Sequence, residues 1–247
     1  MEDRRLELKT LIYKISASTD RGQRLNSIIA PMYQDKKKEI ETTIEKLIPL
    51  TDKLKESALE GKWELIYSSV ELFRSSPFFL AIENAFDNKK KSDLFFKLHF
   101  LQVCSFGLST IGKVEQNIDL NKKELISTFD TTIFGLTVIP ILGWFKLLPT
   151  FGGRVVTLAK DLKLSKDNKL YMLLDKTKVS KVDGLNKIPF FSKLLMEKWY
   201  PVLKVWNLLP WNKKEPICEM QILYIDNDIR IVKDIYEGIF IYSRPIN

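Results

Sequence analysis

Residues 61–79 read GKWELIYSSVELFRSSPFF. Trp63, Leu65 and Tyr67 alternate with Lys62, Glu64 and Ser68. A period of two is the signature of a half-buried β-strand, because successive side chains leave opposite faces. Trp and Tyr favour a deep apolar setting with a polar edge nearby, so this strand faces an interior. Gly61 permits the turn into it and Pro77 ends the segment. Residues before Gly61 carry helical spacing, whereas most of those after it carry strand spacing. The stretch is therefore read as the first stave of a barrel or sandwich.

On the N-terminal side, Leu8, Leu11, Ile12 and Ile15 recur at helical spacing within Glu2–Ser16. A second helix is expected from about Pro31 to Leu47, with Tyr33, Ile40, Ile44 and Leu47 as its stripe and Pro49 as its stop. Residues 1–60 thus form a helical segment and residues 61–247 the β-rich body. On the C-terminal side, Phe78–Phe86 reads as a short helix or irregular lid, and Asn88–Ser92 as a polar turn. Leu94–Cys104 reads as a strand, with Leu94, Phe96, Leu98 and Phe100 on one face. Ile111–Leu120 and Glu124–Thr132 form a pair, as do Arg154–Leu164 and Lys169–Val179. Ile217–Ile225, Ile229–Lys233 and Ile239–Ser243 are three short strands separated by turns. About eight such strands close into a barrel, which removes exposed edges.

Two segments break this rhythm, near 133–151 and 188–211. The first, IFGLTVIPILGWFKLLPTF, is apolar but interrupted by Gly, Pro and Lys, so it makes a poor membrane span. The second interleaves aromatic residues with lysines. Trp144, Phe145, Trp199, Tyr200, Trp206 and Trp211 fall in these segments. Trp and Tyr favour the headgroup level of a bilayer while Lys snorkels above it. Residues 151–214 also carry 14 Lys or Arg against 5 Asp or Glu, within a chain whose net charge is +8. The coincidence points to docking on an anionic membrane surface. The alternative is that both segments fold over the barrel and bury their aromatics there.

Composition excludes several classes. The chain has 247 residues, 45% of them hydrophobic and 28% charged, which suits one large domain or a domain with a small appendage. Cys104 and Cys218 are its two cysteines, so neither a disulfide scaffold nor a structural zinc site is expected, and a reducing compartment is. The N-terminal MEDRRLELKT resembles neither a secretory signal nor a transit peptide. His99 is the single histidine, and no hydrolase elbow, zinc-protease helix, P-loop or dinucleotide fingerprint occurs. Asp226-Asn227-Asp228 lacks the downstream Gly and Glu of a calcium loop. No enzyme, cofactor or metal is expected. The basic residues are interleaved with Leu, Ile and Trp, and no nucleic-acid module is recognised.

Three stretches then carry a resemblance: GKWELIYSSVELFRSSPFF, IGKVEQNIDL at 111–120, and LYIDNDIRIVKDIYEGIFIYSRP at 223–245. Together, and in this order, they resemble the plastid lipid-associated proteins, or fibrillins. The TDRG at Thr19–Gly22 looks like the family's helical preamble, so the likeness covers nearly the whole chain. Tyr224, Asp226, Arg230, Gly238 and Phe240 occupy the places of the tail motif. Val232-Lys233 stands where the family usually has an Arg-Gly step.

The resemblance implies a lipocalin-like antiparallel β-barrel that binds a carotenoid, a quinone or an acyl lipid without catalysis. Its setting would be the thylakoid or lipid droplets, in lipid storage or photoprotection. The absent transit peptide and the composition suit a cyanobacterial chain on the cytoplasmic side of the thylakoid, or a mature plastid chain. The physics of a barrel agrees, since about eight strands enclose just enough space for one small ligand. The candidate lining is Trp63, Leu65, Tyr67, Phe96, Leu98 and Phe100, with Gln116 as a polar handle; each also reads as ordinary core. Asp226 and Arg230 are expected to pair and pin the last hairpin. The alternatives are a membrane or droplet scaffold with a filled barrel, or a lipid-modifying enzyme. Oligomeric state is not legible.

Overall fold

The structure, a computed structural model, describes residues 2–27, 29–86, 88–104, 110–133, 151–183, 198–202, 206 and 215–245. Helix α1 is Glu2–Ser18 and α2 is Gln34–Leu47. Strand β1, Gly61–Ser68, follows. A 3-10 turn, Leu72–Ser75, leads into α3, Pro77–Ala85, and then α4, Lys89–Cys104. The remaining strands are β2 Thr110–Asp119, β3 Glu124–Ile133, β4 Phe151–Leu164, β5 Lys169–Asp183, β6 Tyr200–Pro201, β7 Ile217–Ile225, β8 Ile229–Lys233 and β9 Ile239–Ser243.

All pairings are antiparallel. The sheet runs β4-β3-β2-β1-β9-β8-β7-β5-β6, and β4 also pairs with β5, so the strands close into a ring. The two-residue β6 adds to β5 beside β7. Closure pairs the edges that an open sheet would expose.

Two apolar clusters form, one on each face of the sheet. The inner one gathers Trp63, Leu65, Val114, Leu125, Met172 and Phe240 from the strands with Phe79 and Leu80 from α3. Helix α3 packs against β7, β4 and β5 and so fills part of the ring. The outer cluster gathers Ile12 and Ile15 of α1 and Ile40, Ile44 and Leu47 of α2 with Tyr67, Tyr224, Ile229, Ile231 and Ile241 of the sheet. The N-terminal helices therefore coat β1, β9, β8 and β7 from outside. Lys9 locks this coat by meeting Asp226 at 3.0 Å and Asp228 at 2.5 Å, and Arg5 grips Asp52 through both terminal nitrogens at 2.8 Å.

The TDRG turn joins coat to ring. Thr19 Oγ1 donates to the Ile15 carbonyl and accepts from Gly22 N–H. The Arg21 carbonyl accepts from Ser68 N–H at the end of β1. Gly22 has φ +86°, and a Cβ there would lie 2.3 Å from the Ser68 carbonyl oxygen. Both conditions demand glycine.

The expected strand over Leu94–Cys104 is corrected: it lies within α4, whose first turn begins in the expected polar turn 88–92. Asn88 Oδ1 accepts from Lys90 N–H and caps the helix. Ser92 and Phe96, four residues apart, are buried, and Phe95 is half-buried beside them, while Leu94 and Lys97 are exposed. LFFKLHF satisfies both periods, and aromatic packing of Phe95 on Phe86 and of Phe96 on Phe73 and Phe79 selects the helix.

Candidate functional site

The ring interior holds a charged residue that the strand pattern does not announce. Arg230 of β8 is fully buried. Its neighbours along the strand, Ile229 and Ile231, point outward beneath the helices. Strand alternation then sends Arg230 inward, since both faces of β8 are covered. Its Nη2 donates to Gln116 Oε1 at 2.5 Å, and Gln116 Nε2 donates to the Tyr242 hydroxyl at 3.0 Å. The guanidinium carbon lies 4.4 Å from the Tyr242 ring centre and 5.0 Å from that of Trp63. Its Nε and Nη1 have no acceptor. Burial lowers the Arg230 pKa to about 10, with Tyr242 opposing and Arg244 adding to that effect. The group stays charged at neutral pH.

Trp63 is the anchor of this centre. Its Nε1 donates to the Leu59 carbonyl at 2.9 Å, which fixes the indole inside the ring. Its ring also carries Arg244, whose guanidinium carbon sits 3.8 Å from the centroid. Arg244 is served by backbone oxygens of Ala58, Glu60 and Lys62. Arg230 has Gln116 alone. Cation–π contact offsets part of the desolvation cost, but no carboxylate in the described residues forms an ion pair with Arg230.

A second buried polar group sits elsewhere in the core. Arg74 Nη2 bonds Glu83 Oε1, and the same nitrogen lies 3.9 Å from Asp234 Oδ2. The Arg74 guanidinium also rests 4.4 Å from the Phe96 ring centre. Asp234 Oδ1 accepts from the N–H groups of Tyr236 and Gly238, which closes the β8–β9 turn. Burial raises Glu83 to about 8, the Asp234 charge adds to this, and Arg74 opposes it. The Asp234 pKa is likewise raised by burial. Glu83 thus retains a proton that an ordinary carboxylate would lose.

The expected lining residues divide. Trp63, Leu65 and Gln116 face the interior. Tyr67 does not: a register shift between Leu65 and Tyr67 turns it to the outer cluster. One extra residue in a strand reverses the face of every side chain beyond it. Phe96 is buried in the inner cluster, but from α4 rather than from a strand. Leu98 and Phe100 lie on α4, and their side chains are outside the described residues. The expected Asp226–Arg230 pair is also corrected. Asp226 turns outward to Lys9, the Tyr224 hydroxyl and the N–H groups of Asp228 and Ile229, away from Arg230.

Of the expected docking residues, Trp144, Phe145 and Trp211 fall outside the described residues. Trp199 is 38% exposed, with Lys176 and Lys178 each 5.1 Å from its ring centre. Tyr200 in β6 is half-buried beside it. Trp206 is 2% exposed and belongs to the inner cluster, so it presents no ring to a membrane. Among the described residues no helix is long and apolar enough to cross a membrane.

A closed antiparallel ring, coated by helices on one outer side and enclosing an arginine, defines a β-ring protein with a cationic centre. The chain belongs to the PAP_fibrillin family, that of the plastid lipid-associated proteins; the family model matches residues 7–243. No curated protein and no solved structure matches the chain.

Proposed function

We propose that the ring is a lipocalin-like barrel which binds an apolar small molecule without catalysis, at a thylakoid membrane or a lipid droplet. The observation that carries this reading is the interior itself: an apolar cluster into which the polar group Gln116–Arg230–Tyr242 is set. Ligand pockets have this composition, with a few polar groups fixing orientation. The family's association with plastid lipids supports a carotenoid, a quinone or an acyl lipid as the class of ligand. The exposed Trp199 with Lys176 and Lys178 supports docking on anionic headgroups, and a cyanobacterial cytoplasmic face or a plastid stroma would each provide such a surface.

A scaffold with a filled barrel is the second reading. It is favoured by α3, whose Phe79 and Leu80 occupy ring interior that a ligand would otherwise use. Purification from a photosynthetic host, followed by organic extraction, absorption spectroscopy and mass spectrometry, separates the two. A stoichiometric pigment, quinone or acyl lipid supports the binding reading. An empty extract from folded, monodisperse protein supports the scaffold.

A further inference from the structure

We infer that Arg230 is the head-group site for a carboxylate-bearing amphiphile such as a long-chain fatty acid. This rests on the binding reading above and names the chemistry that the interior would select.

The guanidinium is fully buried, and its Nε and Nη1 lack acceptors. A buried polar group without a partner carries its full desolvation cost, and a buried charge carries more. Its three close neighbours leave that charge in place. Gln116 supplies one neutral oxygen, while the Trp63 and Tyr242 rings supply only their faces. Arg244 on the same indole adds positive charge rather than cancelling it. The centre thus has excess positive charge, unused N–H donors and apolar walls.

A carboxylate meets that description. It returns one negative charge to one unpaired cation, and its oxygens accept N–H bonds from a guanidinium. The hydrocarbon chain behind it would lie among the apolar residues of the inner cluster. A phosphate dianion would call for a second cation with free donors, and Arg244 already donates to the backbone oxygens of Ala58, Glu60 and Lys62. Gln116 acts as a positioning residue: bonded to the Tyr242 hydroxyl, it holds the Arg230 fork in place.

The test is calorimetric titration of the delipidated full chain with oleate and with oleyl alcohol, ligands that share a chain and differ in the head. The wild type is expected to bind oleate at least about tenfold more tightly, the range of one charge-assisted hydrogen bond. In Arg230→Met that preference should vanish, with oleate bound no more tightly than the alcohol. The thermal midpoint of the ligand-free variant should stay at or above that of the wild type, since replacing an uncompensated buried charge with an apolar chain removes its desolvation cost. A purely structural arginine would instead lower the midpoint. Equal wild-type affinities for acid and alcohol would overturn the head-group assignment and leave the binding reading standing. Failure of both ligands to bind would overturn the two together. A preference that survives in the variant would also overturn the assignment. Should the variant not fold, the wild-type comparison decides alone.

Discussion

Single residues carry the least replaceable features of this molecule. Gly22 is one: its left-handed φ and its approach to Ser68 exclude any side chain. Gly22→Ala should cost about 1–3 kcal/mol in urea unfolding; an unchanged midpoint would contradict the described turn. Glu83 is another. Because its folded pKa lies near 8, above the ordinary 4.5, the folded state keeps a proton that the unfolded chain has lost between those values. Stability from this group is therefore full at low pH and declines as pH rises towards 8, by up to about 1.4 kcal/mol per pH unit. Denaturation midpoints from pH 5 to 8 should fall in the wild type and flatten in Glu83→Gln. A wild-type profile that rises across this window would contradict the raised Glu83 pKa. Arg230 was the residue least legible beforehand. The sequence reading pairs it with Asp226 at the last hairpin, whereas the helical coat over Ile229 and Ile231 sends it into the ring.

At the scale of elements, alternation told much and its interruptions told more. The three C-terminal strands begin and end where the pattern put them, because short turns bound them on both sides. Strand β1 was equally clear up to Leu65. The register shift beyond it, and its counterpart between Ile222 and Tyr224 in β7, leave no mark in composition. Each shift precedes a tyrosine that turns from the ring to the helices, so the two irregularities serve the outer cluster. Helix α4 escaped for a different reason. Its apolar run fits both periods, and contacts far away in sequence decide between them. The outer helices are integral to the sheet they cover, with Ile12 fully buried. Ile12→Ala should then cost about 2–5 kcal/mol in chemical denaturation. A loss below about 0.5 kcal/mol would mean that α1 merely rests on the sheet.

For the molecule as a whole, the helical coat and the exposed Trp199 meet different strands of the ring. Lys176 and Lys178, which flank Trp199, belong to β5. The α1–α2 coat lies over β1, β9, β8 and β7 instead. One side is thus closed by the chain's own helices, while Trp199 and its two lysines remain available on the other. Trp199→Ser should weaken flotation with anionic liposomes severalfold and leave the fold intact by circular dichroism. Unchanged flotation would remove Trp199 from any docking role. The measurement that addresses the central claim most directly is NMR of the 15N-labelled arginine side chains, with and without oleate. An enclosed, unpaired Arg230 predicts an Nε–H resonance, identified by its loss in Arg230→Met, that exchanges slowly with water and shifts when oleate is added. An Arg230 signal that exchanges as fast as those of exposed arginines, or that stays fixed at saturating oleate, would contradict a cationic ligand centre inside the ring.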